Sequence, residues 1–458
     1  MKILKISFMK IHSCIIALGI ITLPMIHFLF IGNAADGKTV SRYILYIGLL
    51  AWMFEYFFFN RKIELPHAKS YYAFCFFLIS IILSGVFNFS SIIANEGSRG
   101  VGWIVYLKGT IAMVSYFLIS CYVYDFIMRY NGNTIKFFIK WLMVSFLVTG
   151  TFSILEFGSF ANGPLLEIHQ SFNDIFRNGS MNLFRLRSLT QEPSLFGNYF
   201  ALIFPILFVG AMRRGKVYIF LLIYGLAMVL ASFSRTAYAI TLLELIILLL
   251  YMRYNPLKHW KALIFIVAGM VLFTYYVIFE WFPNVDIFAV IESLSSLQSD
   301  GYSNSNMTRI GSAVGAFNIF LDYPLFGVGW NQAVLYVLDY YPDWAWQASD
   351  IKNYFVYSPT IFGSFPAILA NTGIIGFLSW TFMWFFVIVD FHKVYAKAED
   401  NNYRVYLPAF VVATIGIVIS GLNWGVLEWP AYWVLMGISW AVSQKYLKEK
   451  NGNVAKDS

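Results

Sequence analysis

Charge is scarce in this sequence. Asp, Glu, Lys and Arg together make up 12% of its 458 residues, against roughly 25% in a soluble globular domain, and the shortfall excludes a solvated surface of ordinary size. Cysteine is nearly absent: Cys14, Cys75 and Cys121 all fall inside apolar runs, which excludes a disulfide framework. The six histidines are scattered along the chain, and no cluster shows metal-ligand spacing. There is no low-complexity tract, no detectable repeat, and no segment that reads as a soluble nucleotide-binding domain. No cofactor is implied by any motif.

What fills the chain instead is apolar. Hydrophobic residues account for 59% and aromatics for 20%, and apolar runs, mostly of roughly 16 to 23 residues, recur from end to end. They centre on Ser13–Gly32, Tyr43–Phe59, Tyr71–Phe89, Ile104–Phe126, Phe137–Phe157, Leu195–Met212, Val217–Ser232, Thr236–Tyr251, Ala262–Phe282, Gly373–Phe391, Val405–Leu422 and Ala431–Val442. The expectation is an all-α, polytopic membrane protein of about twelve spans forming one transmembrane domain over residues 1–458. The first run follows a basic start and precedes an Asn33-Ala34-Ala35 stretch like a signal peptide. It is longer than the usual hydrophobic core of such a peptide and reads as an uncleaved span.

The net charge of +8 would point to nucleic acid in a soluble protein. Here most basic residues sit in alternate short connections: Lys2, Lys5 and Lys10; Arg61, Lys62 and Lys69; Arg129, Lys136 and Lys140; Arg213, Arg214 and Lys216; Arg253, Lys258 and Lys261; Lys393, Lys397 and Arg404; and the C-terminal lysines. By the positive-inside rule that side is cytoplasmic, both termini lie inside, and no nucleic-acid partner is expected.

Two connections on the opposite side are long: an outer loop over 158–194, and a large, partly helical outer loop over 283–372 between the ninth and tenth spans. A stretch that long without a span is more than a linker. Four arginines, Arg185, Arg187, Arg235 and Arg309, fall on this outer side, where a membrane protein ordinarily avoids them. Basic residues there point to an anion held at the outer leaflet.

The residues around them sharpen this. Pro193 stands like a first-turn helix proline, which puts Glu192 at a helix N-terminus. There it is either a carboxylate stabilised by the helix dipole or a general base and orienter of the arginines. Arg235 lies in a short turn, Ser232-Phe233-Ser234-Arg235-Thr236, at another helix start. A cation is disfavoured at that end, so the turn calls for a negative neighbour, either Glu192 or a bound phosphate. In the large loop a surface helix is expected to begin near Arg309. Gly327 and Gly329 follow as a turn or a close approach to ligand, then an aromatic stretch from Trp330 to Tyr357, which is an interfacial belt or a surface for stacking on sugars. Glu55, Lys108 and Glu244 lie inside apolar runs and need partners or water.

The segments RLRSLTQEPSLFGNY, SFSRTAY, TRIGSAVGAFNIFLDYPLFGVGW and ILANTGIIGF, in that order, resemble the O-antigen polymerase and ligase superfamily of lipid-linked glycan transferases, over about the last 60% of the chain. The resemblance implies a glycosyltransferase of the bacterial inner membrane that takes undecaprenyl-diphosphate-linked glycans at the outer face. It also implies membrane lipid as surroundings and a chain-length regulator protein as a partner. Carried over, Arg187, Arg235 and Arg309 match the arginine positions that bind the pyrophosphate, with Arg185 a neighbour; Gly327, Gly329 and Trp330 belong to the site's large loop. One departure is plain. Ligases of this kind carry a histidine just before the Gly-Ile-Ile-Gly-like segment, whereas Phe362-Gly363-Ser364-Phe365-Pro366-Ala367 has none, and only His169 lies on the outer side. The reading is therefore a polymerase with Glu192 as the base and Arg187 and Arg235 at the reacting bond. The alternatives are a ligase-type transferase or a flippase of lipid-linked sugars.

Overall fold

The structure is a computed structural model that describes residues 2–25, 39–59, 64–97, 99–161, 163–177, 185–252, 300–397, 405–422 and 425–457. It is all-α apart from one minimal antiparallel ribbon, β1 (Glu96–Gly97) with β2 (Gly100–Val101), in which Glu96 faces Val101. The helices are α1 (Lys2–Ile21), α2 (Val40–Phe59), α3 (Lys69–Phe87), α4 (Phe89–Ala94), α5 (Gly102–Arg129), α6 (Thr134–Ala161), α7 (Gly163–Arg177), α8 (Pro193–Arg214), α9 (Lys216–Ala231), α10 (Arg235–Tyr251), α11 (Asp300–Asp322), α12 (Ala333–Tyr336), α13 (Ser364–Lys397), α14 (Leu407–Ser420) and α15 (Pro430–Asp457). Among the described residues six are long and apolar enough to cross a membrane: α2, α3, α5, α6, α8 and α13. The protein is a polytopic membrane protein of helices, as its composition requires.

Most apolar runs become helices within a few residues of their expected bounds. The first does not: its helix runs over Lys2–Ile21 instead of centring on Ser13–Gly32. Pro24, whose ring has no N–H to donate and crowds the preceding turn, fits a helix that ends ahead of it, and residues 26–32 of the expected run lie outside the described residues. The ninth run, Ala262–Phe282, lies outside the described residues.

In a bilayer, helices associate through close packing and interhelical hydrogen bonds rather than by escape from water. Burial therefore shows which helix is central. The spanning window of α8 is 94% buried and that of α2 only 28%; α8 packs against α9, α10 and α14, while α2 turns Phe57 and Phe58 outward. Large aromatics fill the centre: Trp433 stacks on Tyr116 at 5.3 Å and on Phe74 at 5.2 Å. Polar contacts tie the same helices, with Trp440 Nε1 donating to Ser70 Oγ at 3.0 Å and Ser70 Oγ donating to Asp390 Oδ2 at 2.9 Å.

The segment 300–372 has a core of its own, built from Ala316, Ile319, Val328, Val337, Tyr341, Ala345 and Ile351 among others. What fastens it to the bundle is a break in α13. Gly373 adopts φ 62°, ψ −164°, interrupting the helical ladder and freeing the carbonyls before it. The backbone of the long loop takes them up: Val328 N donates to Ala370 O at 3.0 Å and Gly329 N to Asn371 O at 3.1 Å. Ser84 Oγ of α3 bonds Asn371 O at 2.7 Å and Phe326 O at 2.6 Å. Buried backbone groups need such partners, so the kink and the loop presuppose each other.

Candidate functional site

Four segments meet where α6 ends, α8 and α10 begin, and α11 passes. The first is the stretch 185–192 leading into α8. Leu186 is fully buried, and its N–H donates to Ala231 O at 3.0 Å, fixing the stretch alongside the end of α9. Arg185 then reaches the following turn, its Nη2 donating to Phe233 O at 3.0 Å. As expected, Pro193 opens α8 and Glu192 sits at its N-cap. The Glu192 side chain does not cap that helix. Its Oε2 accepts from Ser194 Oγ at 3.1 Å and lies 3.7 Å from Nη2 of Arg309.

Arg235 is the first residue of α10, behind the N-cap Ser234, whose Oγ accepts from Ala237 N at 3.3 Å. Arg309 comes from α11. Its guanidinium lies over the Phe362 ring, 5.1 Å from the centroid, a cation–π contact. Burial lowers the Arg309 pKa from its ordinary value; Glu192 opposes this, while the positive charges of Arg185 and Arg235 add to it. The lowered value means that burial and like charge outweigh the carboxylate at Arg309.

Beside Arg309 runs an open groove of about 360 Å³, lined by Ile310, Ala313, Val314, Phe317, Phe362 and Leu422. Its floor is one face of α11, so a cationic end leads directly into an apolar trough.

The residues expected in the site separate into two groups. Glu192, Arg185, Arg235 and Arg309 come together. Arg187, matched from sequence ahead of Arg185, is buried beside them. It is only 3% exposed, and its Nη1 donates to Gln191 O at 3.2 Å within its own loop. Arg185, two residues earlier, is the one that reaches the turn before α10.

Gly327, Gly329 and Trp330 belong to the clamp on α13. Gly327 has φ +62°, and a Cβ there would meet Ala370 O at 2.4 Å; Gly329 has φ +108°. Gly327 is thus close to protein backbone, whereas a Cβ on Gly329 would meet the side chains of Gln332 and Ile92. Trp330 is buried edge-on against Phe77 at 5.6 Å. The aromatic stretch divides likewise: Tyr341 is buried, whereas Trp344, Tyr354 and Tyr357 are exposed.

Other residues singled out from the sequence find structural surroundings. His169 is buried on α7, with Nδ1 2.9 Å from Ser159 Oγ. Glu55 pairs with Arg129, Nη1 to Oε2 at 2.8 Å. Glu244 is fully buried, facing Gly416 on α14, where only a glycine leaves room for the carboxylate. Lys108 is exposed. One residue escaped the sequence reading altogether: Glu156, fully buried near the end of α6, whose Oε2 accepts from the backbone N–H of Arg187 at 3.2 Å and of Ser188 at 2.7 Å. Its signal was a lone carboxylate in an otherwise apolar span.

No curated protein matches the chain. Residues 220–381, which carry Arg235, Arg309, the α13 clamp and most of α13, match the model of a family described as O-antigen ligase. Over those residues the chain is similar to that family, and the match does not divide polymerases from ligases.

Proposed function

We propose that this chain is a polysaccharide polymerase of the bacterial inner membrane, which transfers a growing glycan from undecaprenyl diphosphate onto the next lipid-linked repeat unit at the outer face. The observation that carries the reading is the gathering of Arg185, Arg235 and Arg309 around Glu192 at the head of an apolar groove. A lipid diphosphate has the same polarity: a strong anion joined to a long hydrocarbon. The arrangement of basic residues along the chain sets the outer side, because the opposite ends of the same helices carry most of the Lys and Arg.

In the reaction, the hydroxyl of the incoming repeat attacks the anomeric carbon of the donor. A new C–O bond forms while the bond to the diphosphate oxygen breaks, and its electron pair leaves with undecaprenyl diphosphate. Fixed guanidiniums stabilise the charge that develops on that oxygen. Glu192, with its side chain 45% exposed, is open to the acceptor hydroxyl and takes its proton. A single displacement inverts the anomeric configuration. Retention, read by NMR of the new linkage against the donor, would rule it out. The charge stabilisation comes from arginine, so activity should survive chelators; its loss on chelation would remove that part of the reading. A chain-length regulator as partner belongs to the same reading.

A ligase is the nearest rival. In the structure, Phe362, within the stretch where such ligases carry histidine, is apolar and packed on Arg309, which favours the polymerase. The test is a gel of surface polysaccharide from cells lacking the gene, complemented with wild type, Arg235→Ala, Arg309→Ala or Glu192→Gln at matched protein levels. Collapse of the ladder to a single added repeat, in the null and the variants, is expected. Long polymer that stays on its lipid carrier would mean a ligase, and repeats trapped on the cytoplasmic side a flippase.

A further inference from the structure

We infer that Glu156 is the positioning residue of the arginine stretch, holding Arg185 and Glu192 in place through the backbone between them; the inference rests on the reading of that stretch as the diphosphate site. The stretch is an awkward piece of chain. Ser188 adopts φ +52°, in the left-handed region that a non-glycine residue seldom occupies. Two consecutive N–H groups, those of Arg187 and Ser188, point inward toward the end of α6, where no helix or sheet partner can receive them.

A single carboxylate oxygen receives both, at 3.2 and 2.7 Å. The hydrogen bonds are charge-assisted, and a pair of adjacent amides converging on one oxygen is an anion-binding arrangement that here binds the protein's own carboxylate. Burying a carboxylate at the end of an apolar helix is unfavourable without such donors. Glu156 and the strained turn therefore stabilise each other. Ser188 Oγ adds a bond to Thr149 O at 2.7 Å, so α6 grips the turn at two points on one face, about two helical turns apart.

The consequence spreads in both chain directions. Toward the N-terminus, with Ser188 fixed, Leu186 reaches Ala231 O and Arg185 reaches Phe233 O, next to Arg235. Toward the C-terminus, Thr190 Oγ1 lies 2.6 Å from Arg187 O and 2.9 Å from Glu192 O, carrying the constraint to the start of α8. One buried carboxylate that touches no substrate thus sets the spacing between a cation and the base of the site.

The test uses purified full-length protein in detergent, with undecaprenyl diphosphate as the probe for binding and intrinsic tryptophan fluorescence for melting. Glu156→Ala should weaken binding about tenfold, the scale of a lost buried hydrogen-bonded anchor. Glu156→Gln, which keeps an oxygen for the two amides, should stay within about threefold of wild type. The decisive readout is coupling: in an Arg185→Ala background, Glu156→Ala should add no further loss. Should Glu156→Ala fail to fold, Glu156→Asp, whose shorter side chain cannot reach both amides, replaces it under the same criteria. Undiminished binding by the alanine or aspartate variant overturns the inference, as does an undiminished further loss in the Arg185→Ala background. Wild type that binds while Glu156→Ala binds equally well sinks this inference alone; wild type that does not bind sinks the diphosphate reading and this inference with it.

Discussion

Two ionic clusters, one where α5 ends and one near the end of α6, are built on opposite rules. At the end where α5 finishes, Arg129 bonds Glu55 at 2.8 Å and Asp125 at 2.6 Å, with His12 Nε2 3.3 Å from Glu55. Trp52 Nε1 and the Tyr56 hydroxyl each donate to Asp125 at 2.9 Å. Acids match or exceed the strong base, the donors come from three helices, and Glu55 is 1% exposed. At the other end Arg185 and Arg235 bear on Arg309, Glu192 stands 3.7 Å from it, and the groove runs beside it. The first cluster pairs its cation with two buried carboxylates inside the helix packing. The second gathers like charges beside an open groove, where the proposed diphosphate would offset them.

Mutations should separate the two. Arg129→Ala leaves two buried carboxylates uncompensated and should destabilise the protein by about 3–5 kcal/mol. Melting in detergent would show it, with activity per folded molecule retained; an unchanged melting temperature would erase the distinction between the clusters. Glu192→Gln should do the reverse, lowering glycan transfer by about 10²–10⁴ if it is the base, while its half-exposed ion pair is worth less than about 1 kcal/mol of stability. Arg309→Ala should lower transfer by about 10²–10³, and Arg309→Lys should fall between, keeping the charge but losing the planar contact with Phe362; equal rates for lysine and arginine would reduce the site to a simple point charge. The smallest change, Gly327→Ala, tests the clamp that carries α11 and the groove to the bundle. A Cβ at φ +62° and 2.4 Å from Ala370 O should cost about 1–3 kcal/mol, read as a lower melting temperature without a specific loss of diphosphate binding.

Much of the fold was legible because lipid imposes a length on apolar segments, and lengths can be counted along a chain. Where the count slipped, as at α1, a single proline had ended the helix earlier than the apolar run did. Pro193 and Glu192 were legible at the start of α8 because helix ends have residue preferences. The reach of Arg185 to Phe233 O in the turn before α10 was not, since it joins segments nearly fifty residues apart. Gly327 and Gly329 announced a close approach but not to what; the answer, the carbonyls freed at Gly373, lies more than forty residues away in sequence.

The sequence by itself therefore determined that this is a helical membrane protein, which side holds its basic loops, and that several arginines break that rule. These are matters of composition and spacing, and the solvent enforces them on every chain of this kind. Only the tertiary structure decided which arginines meet, that Glu192 meets Arg309 rather than capping α8, and that Glu156 reaches across from another helix to hold the stretch between them. Those contacts join segments distant along the chain, and whether a charge ends in a sealed pair or an open cluster depends on what the packing of other helices leaves beside it.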